Sequence, residues 1–388
     1  MKANPGGHID PKDLVGRDGL IEEYWRILDR QSLVLTSERR IGKTSVIRKM
    51  TAEQPEGKLA IFHDLEDTRT PLDFVDKVFN DVTKYLDPYK KTTAHALKFL
   101  THLLNGAEFK GFKLPDNAAP HWKTLLTHVI KDLTDHQKHI VVFFWDEFPL
   151  CIDNIKQTGN AQDAMELLDV LRSLRQMNQR LRMVFTGSIG IHNVIASLKR
   201  EGYANEPIND MAIETLPPLS PEGANDLALR LLEGEGIQTR NRKGLATAIA
   251  RVTDCVPFYI QHVVDRIVRE GGKAEAADVD AIVLEGLTDP GNVWHMRYFR
   301  ERIDRYYTSD EKPLALAILD ALAGSSKPLR FPELFNAVKA RVETEDQDAV
   351  RETLIKLMRD HYLVQETSGA YRFTFALIQR WWKLHRGI

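Results

Sequence analysis

Two short segments carry side chains suited to handling a phosphate chain. The first is Ser37-Glu38-Arg39-Arg40-Ile41-Gly42-Lys43-Thr44, which follows the apolar run Leu33-Val34-Leu35-Thr36 and leads into a helical stretch from Ser45 to Met50. Strand, loop, Gly-Lys-Thr and helix is the setting in which backbone N–H groups and a helix N-terminus gather an anion. There Lys43 reaches the β- and γ-phosphates, and the Thr44 hydroxyl holds Mg²⁺. Ser37 stands where the GxxxxGK[ST] pattern has its first glycine, so the loop must bend without glycine's freedom at that point. The second segment, His139-Ile140-Val141-Val142-Phe143-Phe144-Trp145-Asp146-Glu147, reads as a buried strand ending in two acids. A carboxylate at a strand's C-terminal end, in the crevice, makes Asp146 the expected second Mg²⁺ residue. Glu147 beside it is suited to orient and deprotonate an attacking water.

A third run, Met183-Val184-Phe185, ends in Thr186-Gly187-Ser188. A polar side chain there is placed to sense a γ-phosphate; Ser188 is the candidate, Thr186 the alternative, and a plain turn reads almost as well. His63-Asp64, ending an earlier run, has neither a nucleophile nor a metal partner legible nearby, so a structural role is expected.

These residues need a scaffold, and the pattern supplies one. Leu33 to Leu35, Leu59 to Phe62, Ile140 to Trp145 and Arg182 to Phe185 read as strands, with helical patterns between them at Pro71 to Leu86 and Ala161 to Asn178. Apolar runs without alternation imply strands buried on both faces, hence a parallel sheet covered by helices. We therefore expect an α/β P-loop domain with a parallel sheet over residues 1–216. A helical lid over 217–290 opens at Ser220-Pro221-Glu222, which is a hydroxyl cap, Pro at the first helical position and an acid in the first turn. An aromatic, arginine-rich linker helix occupies 291–310. Residues 311–388 read helix (Pro313 to Ala323), helix (Phe331 to Val342), helix (Gln347 to Asp360) and a hairpin turning at Ser368-Gly369, the winged-helix order.

Several segments resemble the archaeal-type ATPases of the AAA/STAND branch of P-loop proteins. Leu14-Val15-Gly16-Arg17-Asp18 is similar to the family's N-terminal "VGR-acid" segment, Arg39 to Ser45 to its "RRxGKTS" loop, Asp146 to Pro149 to its "DEhP" ending, and Thr186-Gly187-Ser188 to its "GS". Val256-Pro257-Phe258-Tyr259 resembles the lid segment "GxPxY", with Asp254 and Cys255 where glycine is common. The resemblance implies that Arg17 and Pro257 lie against the nucleotide base and that Ser37 to Ser45 cradle ATP. It also implies an arginine from the same or a neighbouring subunit, for which Arg200 is a candidate.

Composition narrows the partners. A formal charge of −2 gives no bulk attraction to nucleic acid or acidic membrane. Two cysteines make no disulfide framework, no zinc spacing appears, and no apolar run approaches the roughly 20 residues needed to span a bilayer. No leader is read at the N-terminus, so a cytoplasmic protein is expected. The would-be recognition helix starts at Glu343-Thr344-Glu345-Asp346-Gln347-Asp348, acidic where DNA would approach. Arg351, Lys356, Arg359, Arg380, Lys383 and Arg386 keep DNA contact open, but a protein partner or homo-oligomer is favoured. The expected activity is Mg²⁺-dependent ATP hydrolysis coupled to domain rearrangement, with DNA handling or prokaryotic defence as settings. The alternative is a slow ATP/ADP switch controlling a partner.

Overall fold

The computed structural model describes residues 1–85, 95–103 and 114–388, and two compact units share the chain. One comprises residues 17–36 and 43–216, the other residues 1–16, 37–42 and 217–388.

The first unit is built on five parallel strands, β1 (Ser32–Thr36), β2 (Lys58–Asp64), β3 (Ile140–Asp146), β4 (Leu181–Thr186) and β5 (Met211–Thr215), in the order β2-β3-β4-β1-β5. β3 runs Val141 to Asp146 without an exposed residue, as a strand covered on both faces must. β5 carries no clear signal in the sequence for a physical reason: as an edge strand it is only half covered, Ile213 is exposed, and no apolar run marks it. The flanking helices are α1 (Asp18–Leu28), α2 (Lys43–Ala52), α3 (Pro71–Tyr85), α4 (His95–Leu103), α5 (Trp122–His136), α6 (Phe148–Thr158), α7 (Ala161–Met177) and α8 (Ile191–Lys199). The expected end of α3 at Leu86 lies outside the described residues. Beneath the carboxyl ends of β3 and β4, Phe148 stacks on Phe185 at 3.9 Å, and Trp145 stacks on both. These rings lock the strand ends in register.

The second unit holds the lid helices α9 (Pro221–Gly234), α10 (Arg242–Val252), α11 (Pro257–Arg269) and α12 (Val279–Thr288), then α13 (Tyr298–Tyr306). The start of α9 follows its sequence signature: Ser220 Oγ accepts from the Gly223 N–H at 3.0 Å, with Pro221 at N1. The last part is a winged helix: α14 (Glu311–Gly324), β6 (Leu329–Arg330), α15 (Phe331–Lys339), α16 (Gln347–Arg359), β7 (Leu363–Gln365), β8 (Ala370–Phe373) and α17 (Ala376–Arg386), its antiparallel sheet ordered β6-β8-β7. β6 and α17 extend the expected helices and hairpin.

Asp254 and Cys255, where the resembled pattern has glycine, both adopt left-handed backbone, with φ of 51° and 57°. The strain is offset because the Asp254 carboxylate caps α17, accepting from the Leu377 N–H at 2.7 Å. Among the described residues no helix is long and apolar enough to cross a membrane.

Candidate nucleotide site

At the carboxyl edge of the sheet, three elements meet on Asp146. The Thr44 hydroxyl, one residue into α2, donates to Asp146 Oδ2 at 2.6 Å across 102 positions of sequence. The Thr186 hydroxyl, last in β4, donates to Asp146 Oδ1. Asp146 and Thr186 are buried while Thr44 is exposed, so the cluster presents its hydroxyl end outward. Lys43, which opens α2, is buried and lies close enough to favour the ionised form of Glu147.

Glu147 follows with φ of 54°, a left-handed turn that takes the chain straight from β3 into α6. A non-glycine residue held there costs about 1–3 kcal/mol and is characteristic of functional sites. Its Oε2 accepts two hydrogen bonds from Ser188, from the N–H at 2.9 Å and the Oγ–H at 2.8 Å. Burial pushes the Glu147 pKa up; the Ser188 bonds oppose this, Asp146 adds to it, and Lys43 opposes it. Gly187 has a steric reason: a Cβ there would meet Pro149 Cδ at 2.7 Å, so the segments Asp146 to Pro149 and Thr186 to Ser188 fit together only with glycine between Thr186 and Ser188.

The loop Ser37–Gly42 clusters with the lid and winged helix. Ser37 is not among the residues with positive φ, so the missing glycine costs nothing there; the left-handed positions are Arg40 (φ 72°) and Gly42 (φ 104°). Ile41 is buried; Ser45 lies just inside α2, half-buried. Arg39 stacks on the Tyr298 ring and Arg40 on the Phe258 ring, each at 4.5 Å. Burial, then Arg39, lowers the Arg40 pKa. Glu38 is 3% exposed, and its carboxylate accepts from Arg302 Nη1 at 3.0 and 3.2 Å. This partner, 264 positions away, carried no signal in sequence.

The other expected site residues are spread out. Pro257 opens α11, half-buried. Arg17 is buried ahead of α1, and burial lowers its pKa to about 10. Arg200 caps α8, exposed, without a hydrogen bond or ion pair to Asp146 or Glu147. His63 Nδ1 lies 2.6 Å from Asp81 Oδ2, and Lys77 is 3.4 Å from its other nitrogen, a satisfied structural cluster.

The cations that kept DNA contact open are largely engaged within the unit. Arg351 pairs with Asp348, Lys356 with Glu311, Arg380 with Asp280 and Arg386 with Asp320, while Arg359 and Lys383 are exposed. Trp381 and Trp382 are buried, and Trp382 Nε1 donates to Asp320.

No protein-family model matches the chain, and no curated protein matches its sequence. Solved structures do match its fold. A Walker-type ATPase of Pyrococcus abyssi is similar at a TM-score of 0.66 and 14% identity, over 96% of this chain and 97% of that one. The ORC2 protein of Aeropyrum pernix, in ADPNP–ADP complexes, is similar at a TM-score of 0.55 and 12% identity, over 99% and 98%. With its strand order, lid and winged helix, the chain thus has the fold of an archaeal-type AAA P-loop ATPase.

Proposed function

We propose that the protein binds ATP and hydrolyses it to ADP and phosphate. The observation that carries this reading is the hydrogen bond from Thr44 to Asp146, which joins the Gly-Lys-Thr segment to the acid pair. The donor set suits Mg²⁺: a hydroxyl and a carboxylate are hard oxygen ligands, and Mg²⁺ takes one or two from protein and the rest from phosphates and water. Thr44 and Asp146 would hold it, and when bound it neutralises phosphate charge.

The chain's own residues do the rest. Lys43 and the backbone N–H groups leading into α2 bind the phosphates. Thr186 keeps Asp146 oriented. Ser188 grips Glu147 Oε2, leaving Oε1 to take a proton from water. Catalysis is then mainly positioning and charge neutralisation. Replacing Glu147→Gln should cut multiple-turnover phosphate release by ~10²–10⁴-fold and leave ATP binding intact; wild-type turnover in that variant would defeat the assignment.

A second reading, a slow ATP/ADP switch acting on a protein partner, is favoured by one feature: the Glu147 carboxylate is already committed to Ser188. Negligible phosphate release from wild type with retained nucleotide would select it. The internal pairing of the winged-helix cations supports a protein or second copy, more than DNA, as the partner.

A further inference from the structure

The loop Ser37–Gly42 contains an acid, Glu38, in a segment read as anion-binding. An unpaired carboxylate there would repel the phosphates that the loop gathers. Arg302 on α13 cancels it: Nη1 bridges both Glu38 oxygens, at 3.0 and 3.2 Å. The other side of the same fork, Nη2, donates to the Asp360 main-chain oxygen and to Asp360 Oδ1, each at 3.0 Å, where α16 ends. Tyr307 Oη donates to Asp360 Oδ2 at 2.7 Å, and the Tyr298 and Tyr362 rings flank the guanidinium at 5.5 and 5.1 Å. Arg302 is 5% exposed and Asp360 1%. Glu38 Oε1 also accepts the Arg39 N–H at 2.7 Å, so the loop backbone itself is tied into the network.

We propose that Arg302 is a positioning residue for the phosphate loop, fixing it through Glu38 and coupling its conformation to the winged helix through Asp360. The proposal rests on the nucleotide reading above. The guanidinium reaches the two carboxylates through separate nitrogens of one planar fork, a geometry that lysine's single ammonium does not reproduce. A buried charge network of this kind has discrete arrangements, so a loop drawn towards phosphate must carry Arg302 and the end of α16 with it. Linkage makes the coupling reciprocal: whatever engages the winged helix changes nucleotide affinity by the factor that nucleotide changes that engagement.

The test uses the full chain and Mg²⁺ with a fluorescent ADP (mant-ADP), alongside thermal melts. Glu38→Gln and Arg302→Met should each raise the Kd about tenfold, and Asp360→Asn, in the winged helix, about threefold. Arg302→Lys should not restore affinity. Glu38→Gln combined with Asp360→Asn should be no worse than Glu38→Gln alone, since both act through one fork. Arg302→Met removes the counter-charge from two buried acids and risks misfolding; the two isosteric amide variants then carry the test. Lowered melting temperatures with an unchanged Kd in Asp360→Asn, or fully multiplicative effects, would overturn the proposal while leaving nucleotide binding in place. Failure of the wild-type chain to bind mant-ADP would remove the nucleotide reading itself, and the proposal with it.

Discussion

The sheet unit and the lid–winged-helix unit hold their chemistry-bearing residues by different means. In the sheet unit, neutral hydroxyls do it: Thr44 at a helix start and Thr186 at a strand end on Asp146, and Ser188 in the following turn on Glu147. In the other, charges and rings do it: Arg302 between Glu38 and Asp360, Arg39 on Tyr298, Arg40 on Phe258. A hydroxyl beside a carboxylate leaves the acid's charge available for a cation. A guanidinium consumes that charge, which suits the anion-receiving role proposed for the loop.

The contrast predicts unequal costs. Arg302→Met should destabilise the chain by ~3–5 kcal/mol in urea denaturation, because it leaves two buried carboxylates without their counter-charge. A loss under about 1 kcal/mol would mean that water reaches the network, and the charge-held description would fail. Thr186→Val keeps the shape and deletes one donor to buried Asp146, for a loss of ~1–3 kcal/mol in the same assay. Should it equal the Arg302 variant, hydroxyl and charge would be doing the same job. Ser220→Ala, which removes only a helix cap, should cost about 1 kcal/mol.

The pH effects of two groups shifted by burial have opposite signs. His262 packs on Phe258 at 4.4 Å, and burial, then Arg40, His295 and Arg269, bring its pKa from 6.5 down to about 4. Its neutral form is the folded one, so its contribution is complete above pH 6.5 and is lost as pH falls towards about 4. Glu147 is raised, so its protonated form is favoured in the fold, and stability declines as pH rises from 4.5 through its shifted value. Melting temperatures across pH 4 to 8 should show a shallower acid loss in His262→Gln and a shallower rise-side loss in Glu147→Gln. Unchanged profiles in both would contradict the two burial assignments.

Much of the sheet unit was legible because local rules apply there. Four strands announced themselves as apolar runs, with the acid pair at the end of one and Gly-Lys-Thr a loop beyond another. The edge strand Met211–Thr215, half exposed, carries no such run. As phosphate sensor the sequence points to Ser188 before Thr186. Ser188 engages Glu147, and Thr186 engages Asp146, a division that depends on how β4 registers with β3.

What the sequence determined by itself was therefore periodic and contiguous: the parallel sheet, the start of α9 at Ser220, the winged-helix order and the residues at strand ends. Apolar period, caps and turns act over a few residues, so they can be read without the fold. What only the tertiary structure decided was long-range charge pairing. Glu38 and Arg302 lie 264 positions apart, and 53 basic and 55 acidic residues offer too many pairings for composition to single out one. Nor could spacing show that Trp381 and Trp382 are buried or that Arg380 and Arg386 are paired. Those choices follow from which surfaces desolvate one another when the chain closes.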